Sequence, residues 1–166
     1  NLKELQHLGQ HKLQNGYLPK LISRFEIKLS AGGTRNAIEN MVNSNTLTDR
    51  ILAAEIIGNS GNQEWGDLVL QLSRDFEPEV KLASVKAMAR LGNPNHSYVL
   101  IGYLTTPAYY PYAFEALVKI GDRALPFMEQ LFLLPDADNT LLSRIVRIYG
   151  KIGSPAAIEL LLSKIE

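Results

Sequence analysis

Apolar residues recur along this chain at spacings of three and four, the period of a helix that buries one face. The pattern predicts two sets of helices that alternate. First-of-pair helices are expected at 18–31, 47–59, 78–91, 108–120 and 139–151, and second-of-pair helices at 35–43, 63–73, 95–104, 123–133 and 155–165. A further amphipathic helix is expected at 2–14, with Leu2, Leu5, Leu8 and Leu13 on one side. No segment sustains the apolar–polar alternation of a strand, and Asn15-Gly16, lying between helical patterns, reads as a helix stop.

Glycines give these helices a register. Gly33, Gly61, Gly92, Gly121 and Gly153 are 28, 31, 29 and 32 residues apart. A glycine just past the last periodic residue ends a helix, because it takes a left-handed backbone without a Cβ clash. PEVKLASVKAMARLG (78–92) and PAYYPYAFEALVKIG (107–121) superimpose without a gap, placing Val85 on Phe114, Ala87 on Ala116, Met88 on Leu117 and Leu91 on Ile120. Gly58 and Gly150 each precede a register glycine by three residues. Pro78, Pro107 and Pro155 stand where helices should begin, since a proline in the first turn forfeits no hydrogen bond. Pro111 would fall inside the helix that Pro107 opens, and should kink it or delay its start to about residue 111.

Helix pairs this small cannot close a core alone, and stacking them buries a continuous interior. The expected fold is therefore all-α: an α-solenoid, a right-handed superhelix of about five two-helix repeats. It is read as one domain over 1–166, with an N-terminal helix at 1–17, a degenerate repeat at 18–44 and four clearer repeats at 45–166. Ala53, Ala54, Ala83, Ala87, Ala89 and Ala116 should let helices approach closely, with Leu72, Leu104, Leu131 and Leu161 filling between layers.

The run V-K-x-x-x-V-x-A-x-x-x-L-G-N-P from Val80 to Pro94 resembles the bacterial HEAT-like repeat, the short form known from phycobilin lyases. It recurs as RILAAEIIG from Arg50 to Gly58 and as FEALVKIGD from Phe114 to Asp122. The resemblance covers about residues 45–165. It departs from the pattern where Tyr110 replaces the basic residue seen as Arg50 and Lys81, and the inter-helix aspartate is clear only at Asp122. The resemblance implies an armadillo-like interaction scaffold or regulatory module that binds a protein partner or other domains of its parent chain. It also implies that second-of-pair helices line a concave side, bringing Glu64, Asp67, Gln71, Tyr98, Tyr103, Glu129 and Phe132 near it. Two other arrangements known for such repeats are a soluble domain of a multidomain membrane transporter with a nucleotide-sensing neighbour, and an enzyme of lyase or DNA-glycosylase type.

Composition narrows this further. Lysine plus arginine equals aspartate plus glutamate, 17 each, so the basic excess of a nucleic-acid binder is missing. No cysteine is present, which removes disulfides, thiol nucleophiles and cysteine metal sites. No apolar run reaches the roughly 18 residues that span a bilayer, and no signal peptide opens the chain. The cytoplasm is the expected compartment. The first residue is Asn1, suggesting a processed protein or a domain of a longer one, and the apolar ending IELLLSKIE suggests that the array continues or pairs with another chain.

Candidate chemistry is sparse. His7 and His11 sit at i and i+4 with Glu4 a turn earlier, a metal-binding spacing that lacks a third strong ligand. His96, in GNPNHSY, reads as an exposed or capping residue. Glu55, Asp67, Glu77, Glu79, Glu115, Asp122 and Glu129 form no acid–base pair and read as solvated helix faces. GNSGN at 58–62 lacks the lysine of a phosphate loop. Trp65 is the one tryptophan a glycosylase-like face could use. No catalytic residue, metal or cofactor is expected. The outstanding feature is tyrosine: Tyr98, Tyr103, Tyr109, Tyr110 and Tyr112 place five of seven within 15 residues. Tyrosine joins large apolar area to a hydroxyl at low entropic cost, so these five are the expected partner-binding residues.

Overall fold

The computed structural model describes residues 34–134 and 137–163. They are all-helical, with short 3-10 turns and no strand among the described residues. The helices expected at 2–14 and 18–31, Gly33, and the pair His7 and His11 lie outside them. No helix among the described residues is long and apolar enough to cross a membrane. The chain divides into two compact units, 1–87 and 88–166.

In the first unit α1 (Thr34–Val42), α2 (Leu47–Ser60) and α3 (Gly66–Leu72) pack on one another. The helix α4 (Pro78–Leu91) begins here and ends in the second unit. α2 buries Leu52, Ala53, Ala54, Ile56 and Ile57, and a 3-10 turn at Gln63–Trp65 turns Trp65 inward. Arg35 of α1 clamps α3, donating to Asp67 at 2.6 Å and to the Glu64 carbonyl at 2.8 Å. Arg50 of α2 grips the loop after α3, with Nε and an Nη donating to the two Asp75 oxygens at 2.7 and 3.2 Å and another Nη to the Ser44 carbonyl at 3.0 Å.

In the second unit α5 (Ser97–Tyr103) packs on α6 (Tyr110–Ile120) and on α7 (Leu125–Glu129). α6 packs on α8 (Asn139–Ile152), and α8 on α9 (Pro155–Leu162). Leu100, Leu104, Ala116, Leu117, Met128, Ile145, Ile148 and Tyr149 are fully buried and form the core of this unit.

The glycine register is a backbone fact. Gly61, Gly92, Gly121 and Gly153 are the positive-φ residues among those described, at 66°, 61°, 67° and 64°. The residue after three of the four makes a recurring contact. Asn62 and Asn93 accept from the amides two residues on, both at 3.0 Å, and Ser154 accepts from Ala157 at 3.1 Å, so each caps a following helical turn. Asp122 instead accepts from the Ser154 hydroxyl and ties two such turns together. Lys119 also secures a helix end. Its aliphatic stem covers Gly92, and its Nζ donates to the Arg90 carbonyl at the end of α4, at 2.6 Å.

Several expectations need correcting. Pro78 and Pro155 do open helices, but Pro107 does not. Residues 107–109 form a separate turn in which the Thr106 carbonyl accepts from both Tyr109 and Tyr110, at 3.0 and 2.9 Å. Pro111 has no N–H to return to Pro107, so a helix continuous from 107 is barred and α6 starts at Tyr110. The helix expected at 123–133 is broken into a 3-10 turn, a short α7 and a second 3-10 turn, and it stops where Leu134 takes the extended conformation favoured before a proline. His96 is buried at 1% exposure rather than solvent-facing; it stands at the N-cap position of the helix that begins at Ser97, but its side chain makes no cap hydrogen bond, and Asn93 caps the turn before it. Ala89, Leu131 and Leu161 are half-buried rather than core.

Candidate interaction surface

The five tyrosines all belong to the second unit. Tyr98 and Tyr103 lie on α5, Tyr109 ends the turn that follows, and Tyr110 and Tyr112 open α6. Helix period and the late start of α6 decide which way they face. Ala113, Ala116 and Leu117 take the inward positions of α6, which leaves Tyr110 and Phe114, four residues apart, to share a flank.

Tyr103 and Tyr109 meet edge to face with ring centroids 4.9 Å apart, and Tyr110 lies 5.8 Å from Phe114 at a tilt. The Arg144 guanidinium of α8 stands 4.5 Å over the Tyr110 ring and donates to the Leu104 carbonyl at the end of α5. That carbonyl is one of the unpaired acceptors every helix end leaves, and the stacked arginine supplies its donor. Tyr103, Tyr109, Tyr110 and Tyr112 are half-buried, and Tyr98 is exposed at 76% with no ring contact among the described residues. The structure therefore gathers Tyr103, Tyr109 and Tyr110 with Phe114 and Arg144. It leaves Tyr98 standing apart, and places Tyr112 on the same opening turn of α6 as Tyr110.

Among the described tyrosines only Tyr149 is a core residue. It stacks on Phe132 with centroids 6.1 Å apart, and burial, reinforced by the charge of Glu129, pushes its hydroxyl up to about 12. Glu129 and Phe132, expected near a concave face, are thus both tied to a core tyrosine. Glu64 and Asp67 are held by Arg35, and Gln71 donates to the Asn43 side chain at 2.8 Å.

The rest of the surface offers little chemistry. No group of three or more histidines and carboxylates could hold a metal among the described residues. Trp65 is 7% exposed and packs in the core, so it is not the surface tryptophan that a glycosylase-like face would need. Gly61 of GNSGN ends α2, and Asn62 caps the turn after it. No family model matches the chain, and no curated protein matches it.

Two features were not anticipated. The loop after α3 carries Phe76 at 96% exposure, although the Asp75 beside it is firmly held. Burial alone would raise the Asp75 carboxyl; hydrogen bonds from Arg50 and from the amides of Glu77 and Phe76, with the charge of Arg50, outweigh it and hold the group below the usual carboxylate range. The second is the basic flank of α8. Arg144, Arg147 and Lys151 follow at i, i+3 and i+7 in a helix with no acidic residue, a spacing already present in the sequence.

Proposed function

We propose that this chain is a non-catalytic interaction module made of stacked HEAT-like repeats, an α-solenoid that offers the tyrosine-rich junction of α5 and α6 to a protein partner or to another domain of its parent chain. One observation carries the reading. Five tyrosines lie close in sequence, and none of them fills the core, where Tyr149 is the buried tyrosine among those described. Tyrosines needed only to fill repeat positions would be buried as Tyr149 is. Half-buried tyrosines already braced by ring contacts and by Arg144 lose little freedom on binding, the condition under which aromatic residues become anchors.

The test compares the wild type with the Tyr109→Ala, Tyr110→Ala, Tyr112→Ala triple variant as immobilised bait, with equal helicity by circular dichroism as the control. Loss of the captured proteins in the variant is expected; an unchanged capture pattern would remove the tyrosine junction as the contact surface. The stacked arrangement is tested separately by small-angle scattering. A compact ball of this length has a radius of gyration of about 15 Å. A solenoid must exceed that clearly.

A further inference from the structure

The tyrosine junction does not end at its rings. Arg144, which stacks on Tyr110, is the first of three cations on one flank of α8, with Arg147 and Lys151 on the same flank in the turns that follow. Both Arg147 and Lys151 are exposed, and among the described residues none of the three cations pairs with a carboxylate. α8 has no acidic residue from Asn139 to Ile152 to compensate them. Exposed helices usually lace such a run with acidic residues at i±4, which costs nothing and adds a few tenths of a kcal/mol per pair. Lys151 has a local reason to be cationic, since it sits in the last turn where the helix dipole favours positive charge. Arg147, in mid-helix, has none.

We infer that the tyrosine junction and the basic flank of α8 form one binding surface for an acidic peptide segment, with aromatic or aliphatic side chains seated among Tyr103, Tyr109 and Tyr110 and carboxylates reaching Arg147 and Lys151. The inference rests on the interaction reading proposed above and assigns the chemistry of its partner. From Arg144 to Lys151 the flank rises about 10 Å, at 1.5 Å per residue. An extended peptide covers that in three to four residues, at about 3.3 Å each. The matching segment is therefore short, with two or three carboxylates next to a bulky apolar residue. Arginine beside tyrosine gives such a site a bidentate carboxylate fork and a stacking platform together. Single-stranded nucleic acid also combines negative charge with flat rings, but the chain is charge-neutral overall, and a flank of three cations neutralises too few phosphates to hold it.

The test is fluorescence anisotropy on the full chain with four labelled probes. These are a 12-residue peptide of Asp and Glu interleaved with Leu and Trp, its Asn/Gln counterpart, its Lys counterpart, and a 12-nucleotide oligo-dT. The acidic peptide is expected to bind at least tenfold tighter than the other three, and to weaken several-fold between low and physiological salt. The Arg147→Glu, Lys151→Glu variant should lose at least tenfold on that peptide, while Arg147→Lys should keep most of it. Both positions are exposed, and helicity by circular dichroism confirms folding. If the Asn/Gln peptide binds equally and the tyrosine variant still loses it, the acidic assignment fails and the interaction reading stands. If the acidic peptide binds but ignores the tyrosine triple variant, the junction itself fails. Tighter binding of oligo-dT, or no binding by any probe, overturns the inference.

Discussion

Two of the register glycines share a φ but not a ψ, and that difference sets up a sharp stability test. Gly61 sits at φ 66°, ψ 4°, in the left-handed helical well, whereas Gly121 sits at φ 67°, ψ −140°. A Cβ built at either position meets no described atom within 4 Å, so steric contact does not separate them. The left-handed well costs an ordinary L-residue about 1–2 kcal/mol. Alanine recovers about 0.4–1 kcal/mol of that by narrowing the unfolded ensemble. Gly61→Ala should therefore cost about 1 kcal/mol. The region occupied by Gly121 is close to one that only glycine uses, with a strain near the upper end of about 1–3 kcal/mol, leaving about 2 kcal/mol after the same correction. For a chain of this size each kcal/mol moves Tm by roughly 2–4 °C. Gly121→Ala should lower Tm by about 4–8 °C and Gly61→Ala by about half as much, followed by circular dichroism at 222 nm. Asparagine tolerates the left-handed well, so Gly61→Asn should be milder than Gly61→Ala, while Gly121→Asn should bring no relief. If Gly121→Ala costs no more than Gly61→Ala, or asparagine rescues both alike, backbone geometry is not what holds these positions to glycine.

Other outcomes follow from the charges and the core. Asp75 is held below its ordinary value in the folded chain, so its contribution is present above about pH 4 and fades as the pH falls through the lowered folded value. Asp75→Asn should cost about 1–3 kcal/mol at pH 7, because it leaves Arg50 part-buried without its carboxylate, and should flatten the acid limb of a urea-midpoint profile between pH 2.5 and 7; an unchanged limb would show that another group governs it. Tyr149 is raised from about 10 when unfolded to about 12, so stability is complete below pH 10 and falls by about 2–3 kcal/mol as the pH rises to 12. Tyr149→Phe should keep neutral-pH stability within about 0.5 kcal/mol, since the hydroxyl has no hydrogen-bond partner among the described residues, and should remove that alkaline decline; an equal decline in the variant refutes the assignment. Met88→Ala, at a position with no exposure, should cost about 2–5 kcal/mol by chemical denaturation, and a loss below 1 kcal/mol would place Met88 outside the packed core.

The helix pattern was legible because its signals are local. A glycine that must take a positive φ and a proline that suits a first turn both act within a few residues, and the ends of α2, α4, α6 and α8 at Gly61, Gly92, Gly121 and Gly153 follow from that. Pro107 taken alone misleads for the same reason, while the delayed start expected from Pro111 is what the structure has. Its own geometry suits a helix start, but the N–H missing at Pro111 decides where the helix can run, and two prolines four apart cannot both lie in one uninterrupted hydrogen-bonded ladder. His96 misled because exposure in a turn depends on which side faces the neighbouring helices, a tertiary matter that the polar string GNPNHSY conceals. The tyrosine cluster was visible as composition. That Arg144, on a different helix, covers Tyr110 and closes the end of α5 was not, since no spacing rule joins those positions. The basic spacing on α8 was readable, yet it gains meaning only beside the rings it extends.

Lys119 closes the end of α4 from 29 residues further along the chain, and Arg144 closes the end of α5 from 40 residues further along. During synthesis, therefore, each of these helix ends exists before its donor does. At about 5–20 residues per second, the Arg90 carbonyl waits roughly one and a half to six seconds for Lys119 to be made. A nascent chain halted between the two would carry α4 closed by the Gly92 amide on the Met88 carbonyl, with the Arg90 carbonyl left to water until α6 brings Lys119. Completion of these helix ends thus runs about 29 to 40 residues behind translation.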